Sequence, residues 1–343
     1  MTTMTVLIVL VIVMALMFDF VNGWNDSANA IATVIATRVL SPTAAVALAT
    51  ILNLAGAMVG VKVADTMSKI LKTGPEHFSH PETILLVIIA GLASASVWAA
   101  AMTVLGMPIS GSHSLIGGVV GAGVAAAGAK ALVVKNITTT LLAMLVAPAM
   151  GFFSAYFFYV AMIWLTIKWR PTTMNTSFGR LQILSASWMA FTHGTNDAQK
   201  VMGIITMALV AGGFQTVPSD GKFEVQMWVK VACAAAISFG TAVGGWKVIK
   251  TLGHHLTKLG PPEGFAAETS ASLVLTLAAW LGVPTSTTHT ITGSILGLGA
   301  TKGMSSVRWG LGEKIILAWV FTLPTTAAMG GGIFWVLHVT TGF

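Results

Sequence analysis

Two short segments carry acids where acids are costly. Asn25-Asp26 and Asn196-Asp197 each sit in the middle of an apolar run more than 30 residues long. A charged side chain at the centre of a membrane helix costs about 2.5 to 3.5 kcal/mol on insertion scales, so such residues are functional candidates by default. A carboxylate beside an amide oxygen, with backbone carbonyls freed where a helix unwinds, makes an oxygen cage for a hard monovalent cation or a site for a proton. The alternative is that each Asn-Asp pair caps a half-helix, since both residue types are good N-caps. Asp19, Lys200 and Glu268 also lie within apolar runs, with Asp65, Lys62 and Lys230 nearer their ends. Lys200 follows Asp197 by three residues, on the same helical face, where it is either a neutralising partner or part of the site.

A second type of segment suits an anion. Pro108-Ile109-Ser110-Gly111-Ser112-His113 and Pro284-Thr285-Ser286-Thr287-Thr288-His289 each precede an apolar stretch with regular glycines. Each reads as the start of a helix, with unpaired N-terminal amides and roughly half a positive charge. Ser110, Gly111, Ser112, Ser286, Thr287 and Thr288 together can surround one tetrahedral oxyanion if the two helix starts meet near the membrane midplane. His113 and His289 either donate to that anion, gate it by protonation, or hydrogen-bond a neighbouring helix.

Elements that position these residues follow from composition. Of 343 residues, 55% are hydrophobic and 8% charged, against about 25% charged in an ordinary soluble domain. A water-soluble enzyme is excluded, and apolar runs follow one another from Met4 to Leu337, each near the roughly 20 residues that a membrane helix needs. Ten spans are expected, beginning near residues 4, 42, 83, 107, 137, 181, 226, 263, 284 and 315. The two long runs, residues 4 to 37 and 181 to 212, are expected to be broken helices or hairpins, because the Asn-Asp pairs fall midway. The run from Thr5 to Phe18 is read as a retained first span, since no Lys or Arg precedes Arg38 and no cleavage site follows. The single cysteine, Cys233, excludes an intramolecular disulfide. The formal charge of +7 comes with no basic helix or aromatic platform, so no nucleic-acid partner is expected.

The chain is duplicated. The Asn-Asp segments are offset by 171 residues; the Pro-x-Ser-x-x-His segments and the Ser94-Ala95-Ser96 and Ser270-Ala271-Ser272 segments are offset by 176, in the same order. With five spans per half the second half must be inverted, giving an all-α integral membrane protein of two inverted repeats. About 10 to 12 membrane segments are expected, with broken helices and re-entrant hairpins. The repeats are residues 1–166 and 181–343, and 167–180 is a connecting loop. Placing that loop in the cytoplasm puts Arg38, Lys168, Arg170, Arg180, Lys247, Lys250, Lys258, Lys302, Arg308 and Lys314 inside. Lys69, Lys72, Lys130, Lys135 and Lys222 are then outside. The positive-inside rule therefore favours both termini outside a cell membrane.

At these four motifs the sequence closely resembles the inorganic phosphate transporter (PiT) family. The matching residues are Gly23-Trp24-Asn25-Asp26-Ser27-Ala28-Asn29-Ala30, Gly194-Thr195-Asn196-Asp197-Ala198-Gln199-Lys200 and the two Pro-x-Ser-x-x-His segments. The resemblance implies a secondary active symporter, not an enzyme, that imports inorganic phosphate by alternating access with Na+ or H+. It implies that Asn25, Asp26, Asn196 and Asp197 hold coupling cations, and that the Ser/Thr clusters with His113 and His289 hold phosphate. Glu268 matches an acidic position needed for coupled transport, and its partner in the first half appears here as Asp65. A permease of the same fold for sulfate, arsenate or a neutral metal-phosphate complex is the alternative. No cofactor is expected, and the sequence leaves monomer and homodimer open.

Overall fold

The structure is a computed structural model; it describes residues 2–74, 76–78, 80–217, 221 and 223–343. Lys222, one of the basic residues expected outside, lies outside the described residues. The described chain forms twelve α-helices. In the first half these are α1 (Thr3–Ala36), α2 (Pro42–Ala57), α3 (Lys62–Met67), α4 (Pro81–Leu105), α5 (Gly111–Ala127) and α6 (Val134–Thr166). In the second they are α7 (Pro171–Ala211), α8 (Met227–Val243), α9 (Trp246–Lys250), α10 (Pro261–Leu281), α11 (Thr287–Thr301) and α12 (Trp309–Thr341). Each of the ten expected spans falls on one of these helices, with α3 and α9 additional, but not every one is a full crossing: α2 and α5 are shorter apolar helices.

Among the described residues, α1, α4, α6, α10 and α12 are able by length and composition to cross a membrane, and α8 with the Trp246–His255 segment, bent by 64°, forms either a broken span or a re-entrant loop. The repeat is visible helix by helix, α1 to α6 against α7 to α12. The expected connecting loop is shorter than 167–180, because Pro171 sits in the first turn of α7. Proline there needs no amide partner and its φ suits a helix start.

The expected breaks at the Asn-Asp pairs are absent. Helix α1 runs unbroken for 34 residues and α7 for 41. Gly23 and Gly194, which precede the pairs, serve close packing instead: a Cβ at Gly23 would meet the Ile237 carbonyl of α8, and one at Gly194 the Asn53 carbonyl of α2. Small residues let membrane helices approach this closely. The chain turns instead at the α4–α5 and α10–α11 hairpins, where Gly106 (φ 75°) and Gly282 (φ 71°) end the first helix in the left-handed conformation that glycine adopts without steric cost.

Packing crosses between halves. Helix α1 lies on α8, α2 on α7, α5 on α12, and α11 on α6. Two apolar clusters result. One takes the start of α1 through Phe18 and the end of α7 from Ala198 onward; the other takes α1 from Ala28 and α7 through Ala190. Between them, α1 contributes Asp19, Asn22, Asn25 and Asp26, and α7 contributes His193, Asn196 and Asp197, all buried. The polar residues thus form a layer sandwiched between two hydrophobic cores.

Candidate functional site

The two hairpin loops, residues 107–110 and 283–286, carry the starts of α5 and α11 into that layer. Ser110 caps α5 by accepting from the His113 amide (3.1 Å), and Ser286 caps α11 by accepting from the His289 amide (3.2 Å). This leaves the amides of Gly111 and Ser112, and of Thr287 and Thr288, as the helix-start donors without an intrahelical acceptor. Asn22 presses so closely on Gly111 that a Cβ there would collide with its side chain.

Side chains from four helices converge here. Thr288 Oγ1 donates to Asp26 Oδ1 (2.9 Å). Thr287 Oγ1 stands 3.2 Å from both Asp26 Oδ2 and Asp197 Oδ2. Asn29 Nδ2 donates to Thr288 Oγ1 (3.0 Å) and Thr287 Oγ1 (3.3 Å), and Asn22 Nδ2 to Asp197 Oδ2 (3.3 Å). Lys200 Nζ donates to Asp197 Oδ1 (2.5 Å), Ser112 Oγ (2.5 Å) and the Thr285 carbonyl (2.7 Å). Ser112 Oγ in turn donates to that same carbonyl (3.0 Å).

His193 completes the group. One atom each from Asp26, His193 and Asp197 lies within 4.8 Å of the others. His193 Nδ1 meets Asn53 Oδ1 at 2.9 Å, and Asn53 Nδ2 donates to Thr241 Oγ1 (2.9 Å). Two carboxylates about 5 Å apart repel by about 3 kcal/mol at an effective dielectric constant near 20. Lys200, a cation between the helices, or protonation offsets that repulsion.

The other expected site residues fall into separate places. Asn25 and Asn196 turn away from the aspartates that follow them, because adjacent residues point about 100° apart on a helix. Asn25 Nδ2 donates to Thr103 Oγ1 (2.8 Å) and the Met107 carbonyl (3.4 Å). Asn196 Nδ2 donates to the Thr192 (2.9 Å) and Leu275 (3.3 Å) carbonyls. Both amide oxygens are buried and have no partner among the described residues, so each is free to ligate a hard cation. The expected cage of unwound backbone is not formed, since both helices keep their backbone bonds.

Glu268 has its own nest. It accepts from Thr33 Oγ1 (2.5 Å), Gln182 Nε2 (3.1 Å) and Ser185 Oγ, tying α10 to α1 and α7. Asp65 does not join it. Asp65 pairs with Lys69 (2.8 Å) at the partly exposed edge of α3 and accepts from the Phe223 amide. His113 and His289 do not reach the aspartates either. Their rings lie 4.6 Å apart, His289 stacks on Trp319 at 3.8 Å, and both line an apolar cavity of 700 Å³ between α6 and α12.

Asn22, Asn29 and His193 are contributors that the motifs do not single out, and Lys200 meets both Asp197 and the start of α5. The repeat contained the signal: the offset of 171 that pairs Asp26 with Asp197 also pairs Asn22 with His193 and Asn29 with Lys200.

Comparison with known proteins matches a family model described as the phosphate transporter family to residues 22–176 and again to residues 167–330. A "probable low-affinity inorganic phosphate transporter" of Rhizobium meliloti is 43% identical over 94% of this chain and 93% of its own. One of the same description from Bacillus subtilis is 38% identical over 99% of each. Among solved structures, one described as "the sodium-dependent phosphate transporter" superposes with a TM-score of 0.85 at 24% identity, covering 97% of this chain and 99% of the other.

Proposed function

The chain belongs to the phosphate transporter family, and from that premise we propose a secondary active symport of inorganic phosphate into the cell, coupled to Na+ or H+. It is a multi-pass membrane transporter of inorganic phosphate and not an enzyme. Coupling, direction and residue roles are the parts we propose.

One observation carries the reading. The starts of α5 and α11 bring Ser112, Thr287 and Thr288 against Asp26, Asp197 and Lys200, all buried. Helix-start amides and hydroxyls suit a tetrahedral oxyanion, with Ser112, Gly111, Thr287 and Thr288 as its ligands and Ser110 and Ser286 fixing the helix ends. Phosphate brought beside two carboxylates meets the repulsion that those carboxylates already exert on each other. Cations or protons at Asp26 and Asp197, with the amide oxygens of Asn25 and Asn196 in reserve, compensate it. Glu268 lies apart from this group, where its charge links the helices that must shift in alternating access.

The α4–α5 and α10–α11 hairpins approach the layer as pseudo-equivalents, so a site between them can open toward either side as one half tilts against the other. In this reading both termini lie outside. The sodium dependence stated for the structural relative makes Na+ the first ion to test. Labelled phosphate uptake into proteoliposomes, with an imposed Na+ gradient and a pH gradient applied separately, is the test. Accumulation above the external concentration under one gradient is expected; uptake that only equilibrates phosphate would reduce the protein to a passive pathway.

A further inference from the structure

In the site the two halves share a geometry, and the residues that α1 and α7 contribute differ in type at two pairs of positions, Asn22 against His193 and Asn29 against Lys200; the second pair sets a neutral amide against an ammonium. Asn29 follows Asp26 by three residues and reaches the tip of α11, donating to Thr288. Lys200 follows Asp197 by three residues and reaches the tip of α5, donating to Ser112. Ser112 and Thr288 are themselves counterparts under the offset of 176. The same place in the framework therefore holds a neutral amide in one half and an ammonium in the other.

The surroundings of that ammonium are specific. Lys200 is 3% exposed. Its Nζ faces one carboxylate oxygen, one hydroxyl and one backbone carbonyl at 2.5 to 2.7 Å. Three donors meet three acceptors, and the oxygen types are those a hard monovalent cation selects. Two of the three, Ser112 and the Thr285 carbonyl, belong to the hairpins that the proposed anion contacts, so the ammonium stands between Asp197 and the anion position.

We propose that the Lys200 ammonium is a resident counter-cation of the transport site, taking the place of one free coupling cation. It neutralises Asp197 while Ser112 and Thr285 hold it, and it turns toward the anion when phosphate reaches the start of α5. This rests on reading the Asp26–Asp197 layer as the coupled phosphate site. A plain structural ion pair would make a different prediction: its removal would weaken the fold or the affinity without changing how many cations accompany phosphate.

The experiment is equilibrium binding of radiolabelled inorganic phosphate to detergent-purified protein over a series of Na+ concentrations at constant ionic strength, and over a series of pH values. Lys200→Asn, which installs the residue of the other half, and Lys200→Gln, which keeps amide donors for Ser112 and Thr285, are compared with Lys200→Arg. Both neutral variants should bind phosphate at least about tenfold more weakly at low cation concentration and recover as it rises, by mass action. The dependence of affinity on cation should be steeper by one cation, whereas the arginine variant, which keeps the charge, should keep the unmodified protein's cation slope whatever its absolute affinity. An unchanged cation dependence in the neutral variants overturns the proposal. So does failure of both to yield folded protein, because a free cation would then be unable to replace the lysine. Unmodified protein whose binding ignores both Na+ and pH would overturn the coupling reading instead, so the two failures are told apart.

Discussion

Thr288 donates its hydroxyl to Asp26 across 2.9 Å, joining the start of α11 to the middle of α1 although 262 residues separate them. In the proposed reading, the bond links the helix start whose amides face the anion to a carboxylate that faces the cation. A hydrogen bond to a charged group contributes about 1.5 to 3 kcal/mol. Thr288→Val should therefore raise the KM for phosphate about tenfold or more, while Thr288→Ser, which keeps the hydroxyl, should stay near the unmodified value in proteoliposome uptake.

Asp197 is paired with Lys200 at 2.5 Å, and both are buried. Breaking one partner of a buried pair costs about 3 to 5 kcal/mol, because the remaining charge is uncompensated. Asp197→Asn should cut coupled phosphate uptake by roughly a hundredfold or more. Asp26→Asn should also abolish coupled accumulation. Coupled uptake that survives either change would remove that residue from the site.

Glu268 accepts from Thr33, Gln182 and Ser185, whereas the counterparts under the two offsets are Leu92, Ile204, Val11 and Met14. Glu268→Leu alone strands buried donors at about 1 to 3 kcal/mol each, and the Tm of the purified protein should fall. Installing the whole apolar set, Glu268→Leu with Thr33→Ile, Gln182→Val and Ser185→Met, should recover most of that Tm. If Glu268 contributes to coupling, uptake should remain low in the recovered protein; uptake returning with the Tm would make Glu268 a structural residue only.

Gly23 and Gly194 hold pairs of helix backbones in contact, and a Cβ at either meets a carbonyl that has no rotamer to adopt. Overpacking of this type costs about 1 to 3 kcal/mol. Gly194→Ala should lower Tm and reduce uptake without altering which anions compete, as measured by thermal unfolding and by competition against labelled phosphate.

Phosphate carries a P–OH group near neutral pH and can donate to Asp26 or Asp197; sulfate cannot. A site built to pair with a donor rejects an analogue lacking it strongly. Unlabelled sulfate should compete with labelled phosphate at least about a hundredfold more weakly than arsenate, which keeps the hydroxyl. Equal competition by sulfate and arsenate would remove the carboxylates from direct contact with the anion.

Much of the candidate site is legible in the sequence, for a physical reason. Acids and paired Ser/Thr clusters inside apolar runs are expensive, so Asp26, Asp197, Thr287 and Thr288 stand out by type alone, and duplication shows that they recur in register. Helix continuity was not readable. An Asn-Asp pair midway along a run longer than one span reads as a break, and only the close approach of α8 to Gly23 and of α2 to Gly194 shows what the continuous helices pack against there. Side-chain direction was equally hidden: Asn25 and Asp26 are adjacent in sequence but serve different neighbours, and His113 and His289 share a motif with the serines yet line the cavity between α6 and α12. His193 carries no such signal, because its counterpart is Asn22 and the two types share no motif.

The crossing of the halves, α5 upon α12 and α11 upon α6, bears on how such a chain could have arisen. A single half made alone would insert with its α5 and α6 surfaces facing lipid and its Ser/Thr helix start unmatched. Only a second copy inserted upside down covers them. A half-length chain able to enter the membrane in both orientations would cover both surfaces by pairing antiparallel, and joining two copies would free Asn29 and Lys200 to differ.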